Sequence, residues 1–239
     1  MKSLFGHIVL NFTKETENLA TQSLYYILSN SKSAQEGLLN YLATIKSINT
    51  EISFRTQGHD EDQSIPDLVG SDSDDDAICI IESKFWAGLT DHQPVTYLKR
   101  FNSSKNSILL FLVPAKRIHS IWSELISRCS KEGLIITNTI RKPHLISGDL
   151  NQNHVIAVTD WNSLLKIIET ALDASGDYKI KSDVMQLMGL CDQMDEESFL
   201  PLNSNEISPM IAKRNIQFPE LVDKMRSMRQ EINNIKSHS

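Results

Sequence analysis

The sequence lacks the residue patterns that mark several common classes of protein. It has only three cysteines among 239 residues (Cys79, Cys129 and Cys191), and they form neither a CxxC pair nor a disulfide framework. Zinc fingers are therefore excluded, and the scattered cysteines fit a reducing cytosol. The seven histidines contain no HxxxH pair, and there is no Walker A loop and no GxSxG sequence. These absences argue against zinc hydrolases, P-loop NTPases and serine hydrolases.

Long hydrophobic runs are also missing. No stretch approaches the roughly 20 apolar residues that a bilayer-spanning helix needs. We therefore expect no membrane association and a cytoplasmic location. The first ten residues lack the small-residue cleavage site of a signal peptide. With 40% hydrophobic residues, the chain can bury one substantial core and still carry an appendage.

Charge is distributed unevenly along the chain, although the net charge is only −6. The segment Asp60–Asp76 contains eight carboxylates and no Lys or Arg, whereas Lys99–Lys142 contains nine Lys and Arg against Glu124 and Glu132. Such polarity suits a protein that binds cations in one place and phosphates in another. The alternative is two solvated faces with no ligand.

Apolar periodicity predicts strands that alternate with helices. Two helices are expected between Thr13 and Tyr41, and later helices at Thr90–Arg100, Arg117–Cys129 and Trp161–Leu172. Strands are expected at Glu51–Gln57, Asp67–Val69, Ala77–Phe85, Ser107–Val113, Leu134–Thr137 and His154–Val158. This alternation predicts an α/β fold with a central mixed β-sheet flanked by helices.

The character of the sequence changes after Gly176. We expect a core over residues 1–175 and a helical C-terminal extension over residues 176–239. Within the extension, Lys181–Cys191 and Pro219–Lys236 have helical patterns. The extension is a candidate for homo-oligomer formation or for binding a partner subunit, although packing of its last helix onto the chain's own domain is the simpler expectation.

Three charged residues stand out around the most apolar predicted strand. Glu82 and Lys84 project from the same face of Ala77–Phe85, because side chains alternate across a strand. Asp67 lies across the predicted hairpin, where antiparallel pairing can bring its carboxylate towards Glu82. Converging carboxylates repel each other unless a cation lies between them. A few oxygen ligands of this kind suit Mg²⁺, which keeps several waters and takes further ligands from substrate phosphate.

These residues match a known pattern. Pro66-Asp67 followed by Glu82-Ser83-Lys84 resembles the PD-(D/E)xK motif of restriction-endonuclease-like nucleases, and Gln93 and Tyr97 resemble the QxxxY element of its RecB-like branch. Glu17 stands where many members carry an additional acidic ligand. The resemblance covers roughly residues 8–113. It implies a Mg²⁺-dependent nuclease, with Mn²⁺ as a possible substitute, that hydrolyses phosphodiester bonds in DNA.

The resemblance also implies a role for each residue. Asp67, Glu82 and Glu17 would bind one or two metal ions, helped by the Ser83 backbone carbonyl. Lys84 would orient the attacking water or stabilise developing charge, and Gln93 would position phosphate or Lys84. Tyr97, Lys99, Arg100 and Lys105 would contact the nucleic acid. Stand-alone nucleases of this superfamily with unfamiliar appendages also resemble effectors of bacterial antiviral defence.

Alternatives remain open at each position. Asp67, Glu82 and Lys84 could form a surface ion pair, Gln93 and Tyr97 could be a helix cap and a core tyrosine, and Glu17 could be solvated near a helix N-terminus. Asp72–Asp76 is better explained as a solvated turn than as a second metal site. The competing function is a catalytically silent nuclease-fold module that binds nucleic acid or a partner. RNA also remains open as the substrate.

Overall fold

The structure of the chain, a computed structural model, describes residues 16–48, 50–56, 65–90 and 93–197. These residues form seven strands and six α-helices. The strands are β1 Ser53–Arg55, β2 Leu68–Ser71, β3 Ala77–Ser83, β4 Ser107–Val113, β5 Thr137–Lys142, β6 Leu145–Asp149 and β7 His154–Asp160. The helices are α1 Thr16–Asn30, α2 Lys32–Ala43, α3 Val95–Leu98, α4 Ile118–Lys131, α5 Trp161–Ser175 and α6 Tyr178–Glu197, with a 3₁₀ turn at Ala115–Arg117.

The seven strands form one mixed sheet in the order β1-β2-β3-β4-β7-β6-β5. Strands β3, β4 and β7 are parallel to one another, and the other neighbours pair antiparallel. The central strands β4 and β7 are buried along their whole length, which explains their continuous apolar sequences. The predicted α/β fold with a central mixed sheet and flanking helices is confirmed.

Helices cover both faces of the sheet, and the sheet separates the hydrophobic core into two layers. On one face, α1, α2, α5 and α6 pack against strand residues such as Ile81, Leu110 and Ala157. On the other face, α3 and α4 pack against Ile80, Leu109, Val158 and their neighbours. None of the described helices is long and apolar enough to cross a membrane.

Helix α6 lies within the main compact unit. Its buried residues Ile180, Val184, Leu187, Leu190 and Met194 join the core of the first face. The chain divides into two compact units, Met1–Phe199 and Leu200–Ser239. The division therefore falls after α6 and not at residue 175, where the sequence suggested it. The predicted helix Pro219–Lys236 lies outside the described residues.

Two element predictions were wrong. Leu134–Thr137 is not a strand; only Thr137 joins β5, and the pair β5–β6 that follows was not predicted. Every residue of β5 is exposed, so this edge strand lacks the apolar alternation by which strands are recognised. The helix predicted at Thr90–Arg100 is reduced to the single turn α3, and the described residues before it, Thr90, Gln93 and Pro94, are not helical.

Candidate active site

The β2–β3 hairpin brings Asp67 and Glu82 together. Leu68 pairs with Ile81, so the residues just beyond them, Asp67 and Glu82, face each other at the carboxyl end of β3. The Asp67 carboxylate accepts a hydrogen bond of 2.7 Å from the backbone N–H of Ser83. The backbone N–H of Asp67 in turn donates to Glu82 Oε2 at 3.4 Å. This reciprocal pair fixes both carboxylates at one corner of the sheet.

Lys84 and Gln93 both bind the same oxygen of Glu82. Lys84 Nζ lies 2.7 Å from Glu82 Oε1, and Gln93 Nε2 donates to that oxygen at 2.6 Å. The three side chains are almost fully buried, with exposed fractions of 8% for Lys84 and 3% each for Glu82 and Gln93. Burial of a lysine and a carboxylate is tolerated because each is paired and hydrogen-bonded. The surface ion pair that the sequence left open is therefore not what is found.

Tyr97 supports Gln93 from within the core. Gln93 Nε2 donates to the Tyr97 hydroxyl at 2.8 Å, and that hydroxyl donates to the backbone carbonyl of Ile65 at 3.1 Å. Tyr97 is only 1% exposed. A buried hydroxyl engaged in this way does not reach a bound nucleic acid, so the predicted contact by Tyr97 is not supported. Its position ties α3 to the segment that leads into Asp67.

The electrostatics of the corner disfavour a second negative charge. Burial and the neighbouring Glu82 charge raise the pKa of Asp67 to about 7, although the Ser83 N–H and Lys84 act in the opposite direction. Burial alone would lower the pKa of Lys84, but the charges of Glu82, Asp67 and Glu17 outweigh it and raise that pKa. The corner therefore keeps Lys84 charged, and additional positive charge beside Asp67 would favour the ionised form of its carboxyl.

Glu17 approaches the same corner from α1. Its Oε1 accepts hydrogen bonds from the backbone N–H groups of Phe85 at 2.5 Å and Trp86 at 2.7 Å. It is close enough to Asp67 and Lys84 to influence the pKa of both. Glu17 is therefore not simply a solvated helix acid, because one of its oxygens holds the turn that follows Lys84.

Two arginines that were not predicted hold the loops around the site. Arg117 Nη1 donates to the Phe85 carbonyl at 2.7 Å, on the same turn that Glu17 holds. Arg128 donates to the carbonyls of Thr90 and Leu89 at 2.5 and 2.8 Å. The Thr90 N–H bonds to Gln93 Oε1 at 3.2 Å, which links this loop to the site. These contacts span 32 to 39 residues and depend on tertiary packing, so no local sequence pattern indicates them.

Lys105 lies in different surroundings from those predicted for it. Its ammonium contacts Asp72, Asp74 and Asp76 at 2.6, 2.8 and 2.7 Å. These carboxylates could otherwise hold a metal ion, since their oxygen atoms lie within 4.8 Å of one another. Lys105 occupies the position of the cation, so a phosphate contact by Lys105 is not supported. Lys99 and Arg100 follow α3 and are exposed.

The corner fits a divalent metal ion that prefers oxygen. Asp67 and Glu82 would supply carboxylate ligands, which is the chemistry that Mg²⁺ and Mn²⁺ select. The raised pKa of Asp67 indicates that a cation bound beside it would stabilise its ionised form. The backbone of Ser83 lies beside Asp67, whose carboxylate accepts the Ser83 N–H. Glu17 approaches the same corner, where its Oε1 accepts hydrogen bonds from the Phe85 and Trp86 N–H groups. Comparisons with protein-family models, curated proteins and solved structures find no match to the chain.

Proposed function

We propose that the chain is a Mg²⁺-dependent deoxyribonuclease that hydrolyses phosphodiester bonds at the corner formed by Asp67, Glu82, Lys84 and Gln93. The observation that carries the proposal is the convergence of these four residues. Asp67 directly precedes β2, Glu82 and Lys84 lie at the carboxyl end of β3, and Gln93 lies in the segment before α3. The resemblance to PD-(D/E)xK nucleases adds support, because the same residues that form its motif meet in one bonded cluster.

Each residue has a distinct part in the proposed reaction. A Mg²⁺ ion held by Asp67 and Glu82 would neutralise phosphate charge and lower the pKa of an attacking water. Lys84, 2.7 Å from Glu82, would donate hydrogen bonds to that water or to a phosphate oxygen and stabilise the charge that develops. Gln93 holds the Glu82 carboxylate in orientation through the 2.6 Å hydrogen bond between them.

A plasmid cleavage assay tests the proposal. The full chain is incubated with supercoiled, linear and single-stranded DNA and with RNA, in Mg²⁺, in Mn²⁺ and with a chelator. We expect metal-dependent nicking of DNA, reduced about a hundredfold or more by Lys84→Ala and by Glu82→Gln. Lys179→Ala serves as the matched control, because Lys179 is an exposed lysine at the start of α6.

The result decides between the enzyme and a silent module. Equal cleavage by wild type and Lys84→Ala would assign the activity to a contaminant or to another site. DNA binding by wild type without cleavage in either metal would support the catalytically silent alternative. Faster cleavage of RNA than of DNA would keep the chemistry and change the substrate.

A further inference from the structure

A second polar cluster lies on the same edge of the sheet as the candidate active site. Strands β3, β4 and β7 are parallel, so their carboxyl ends meet at one edge. Ser83, Leu112 and Thr159 are register partners across the three strands. Lys84, Val113 and Asp160 follow one residue later, and at about 4.8 Å per strand the first and last backbones lie about 10 Å apart.

Asp160 orients a histidine at this edge. One of its oxygens accepts the 2.8 Å hydrogen bond from the Ser163 N–H that caps α5, and the other lies 3.0 Å from His144 Nδ1. The Asp160 side chain is 4% exposed, whereas that of His144 is 63% exposed. A carboxylate can only accept hydrogen bonds, so Nδ1 carries the proton and Nε2 faces outward. No residue in the described part of the chain is bonded to Nε2.

The backbone under His144 is also fixed. The Thr159 hydroxyl donates to the His144 carbonyl at 2.8 Å and is 2.6 Å from the Tyr41 hydroxyl on α2. An exposed imidazole that is held by a buried carboxylate and a fixed backbone is arranged to contact a ligand, because its orientation is set before the ligand arrives.

The two clusters are joined by direct contact. The Phe85 ring, next to Lys84, stacks on the Trp161 ring, next to Asp160, with centroids 5.6 Å apart. Strand β4, which lies between β3 and β7, ends at this edge and leads into the 3₁₀ turn, where Lys116 is exposed. Lys142, at the end of β5 and two residues before His144, is exposed as well. Positive charge thus continues along the edge away from Asp67 and Glu82.

We propose that the DNA strand beside the scissile phosphate crosses the carboxyl end of β4 and is bound at the β5–β6 turn by the His144 imidazole. The exposed Lys116 and Lys142 supply additional charge along this path. The inference rests on the proposed function, since Asp67 and Glu82 define where the scissile phosphate lies. When both ring nitrogens carry a proton, Nδ1 donates to Asp160 and Nε2 can donate to a phosphate oxygen.

Two substrates of different length test the path. Bis(p-nitrophenyl) phosphate reaches only the catalytic corner, whereas a 30-base-pair duplex also reaches the β5–β6 turn. We expect His144→Ala to raise KM for the duplex about tenfold, the loss of one charge-assisted hydrogen bond, with kcat unchanged. Hydrolysis of bis(p-nitrophenyl) phosphate should stay within about twofold of wild type.

Three further variants complete the design. Asp160→Asn keeps an oxygen to cap α5 but presents an amide N–H to His144 Nδ1, so a ring protonated on both nitrogens loses its acceptor. This variant should therefore raise the duplex KM and add little to His144→Ala. Lys142→Ala should weaken duplex binding, and Lys179→Ala, at the start of α6, should not. Thermal melting of each variant confirms that it is folded.

The outcomes separate this path from the proposed chemistry. A duplex KM that His144→Ala leaves unchanged overturns the path, and so does an equal loss on both substrates. If wild type hydrolyses neither substrate, the proposed nuclease function fails. Fluorescence anisotropy with the labelled duplex then decides the path alone, because tighter binding by wild type than by His144→Ala supports it and equal or no binding overturns it.

Discussion

At the scale of single residues, the raised pKa of Asp67 predicts that the proposed metal binding depends on pH. Its pKa is raised from 3.8 to about 7, first by burial and then by the Glu82 charge. Between these values the folded chain keeps a proton that the unfolded chain has lost. The free energy of unfolding of the metal-free protein should therefore fall as pH rises from about 4 to about 7.

Mg²⁺ requires the ionised carboxylate, so we expect its affinity to increase over the same range and its binding to release a proton. Calorimetric titration in two buffers of different ionisation enthalpy measures both quantities. Asp67→Asn should remove the proton release and most of the affinity. An affinity that is constant between pH 5.5 and 8 would contradict this expectation.

Substitutions at Gln93 and at Tyr97 should lower kcat to different extents. Gln93→Ala removes the hydrogen bonds to Glu82 and to the Tyr97 hydroxyl, and we expect kcat to fall about tenfold to a hundredfold. Tyr97→Phe keeps the buried ring but loses the hydroxyl that contacts Gln93 Nε2 and the Ile65 carbonyl. Gln93 keeps its own hydrogen bond to Glu82, so a loss of only about threefold is expected. Steady-state cleavage kinetics compare them, and a larger effect from Tyr97→Phe would place the tyrosine closer to the chemistry than its burial suggests.

At the scale of elements, the turn after β3 depends on α1 and on the 3₁₀ turn. Glu17 binds the N–H groups of Phe85 and Trp86, and Arg117 binds the Phe85 carbonyl. We expect Glu17→Ala to reduce kcat about tenfold by loosening this turn. Glu17→Gln keeps an acceptor oxygen and should retain most activity with unchanged Mg²⁺ affinity. A loss of Mg²⁺ affinity in Glu17→Gln would instead make Glu17 a metal ligand.

The elements that the sequence predicts well are those with strong local patterns. Strand β4 was predicted with its observed bounds because Ser107–Val113 is apolar throughout and ends at Pro114. The convergence of Asp67 and Glu82 followed from the hairpin and from strand alternation. Arg117 and the partners of Lys105 could not be predicted, because their contacts span 32, 33 and 31 residues and depend on tertiary packing.

At the scale of the whole molecule, α6 decides where the chain can be shortened. Its five large buried residues, Ile180, Val184, Leu187, Leu190 and Met194, complete one face of the core. At roughly 2 kcal/mol for each buried side chain, removing them would cost about 10 kcal/mol. This loss is comparable with the entire stability of a typical domain, about 5–15 kcal/mol.

We therefore expect a chain that ends at Phe199 to fold and a chain that ends at Ser175 to aggregate or unfold. Circular dichroism melting tests the folding of both chains. Light scattering of the full chain and of the chain ending at Phe199 shows whether residues beyond 199 drive self-association. A cooperative melt for the chain ending at Ser175 would show that the core closes without α6.

The lysine among the three aspartates of the β2–β3 turn has one more consequence. Because Lys105 is covalently part of the chain, its charge cannot be removed by a chelator or exchanged for another ion. The turn belongs to the hairpin that carries Asp67 and Glu82. The hairpin should thus keep its shape whether or not the proposed Mg²⁺ ion is bound beside Asp67 and Glu82. We therefore expect chelation to leave the protein folded and able to bind the metal again.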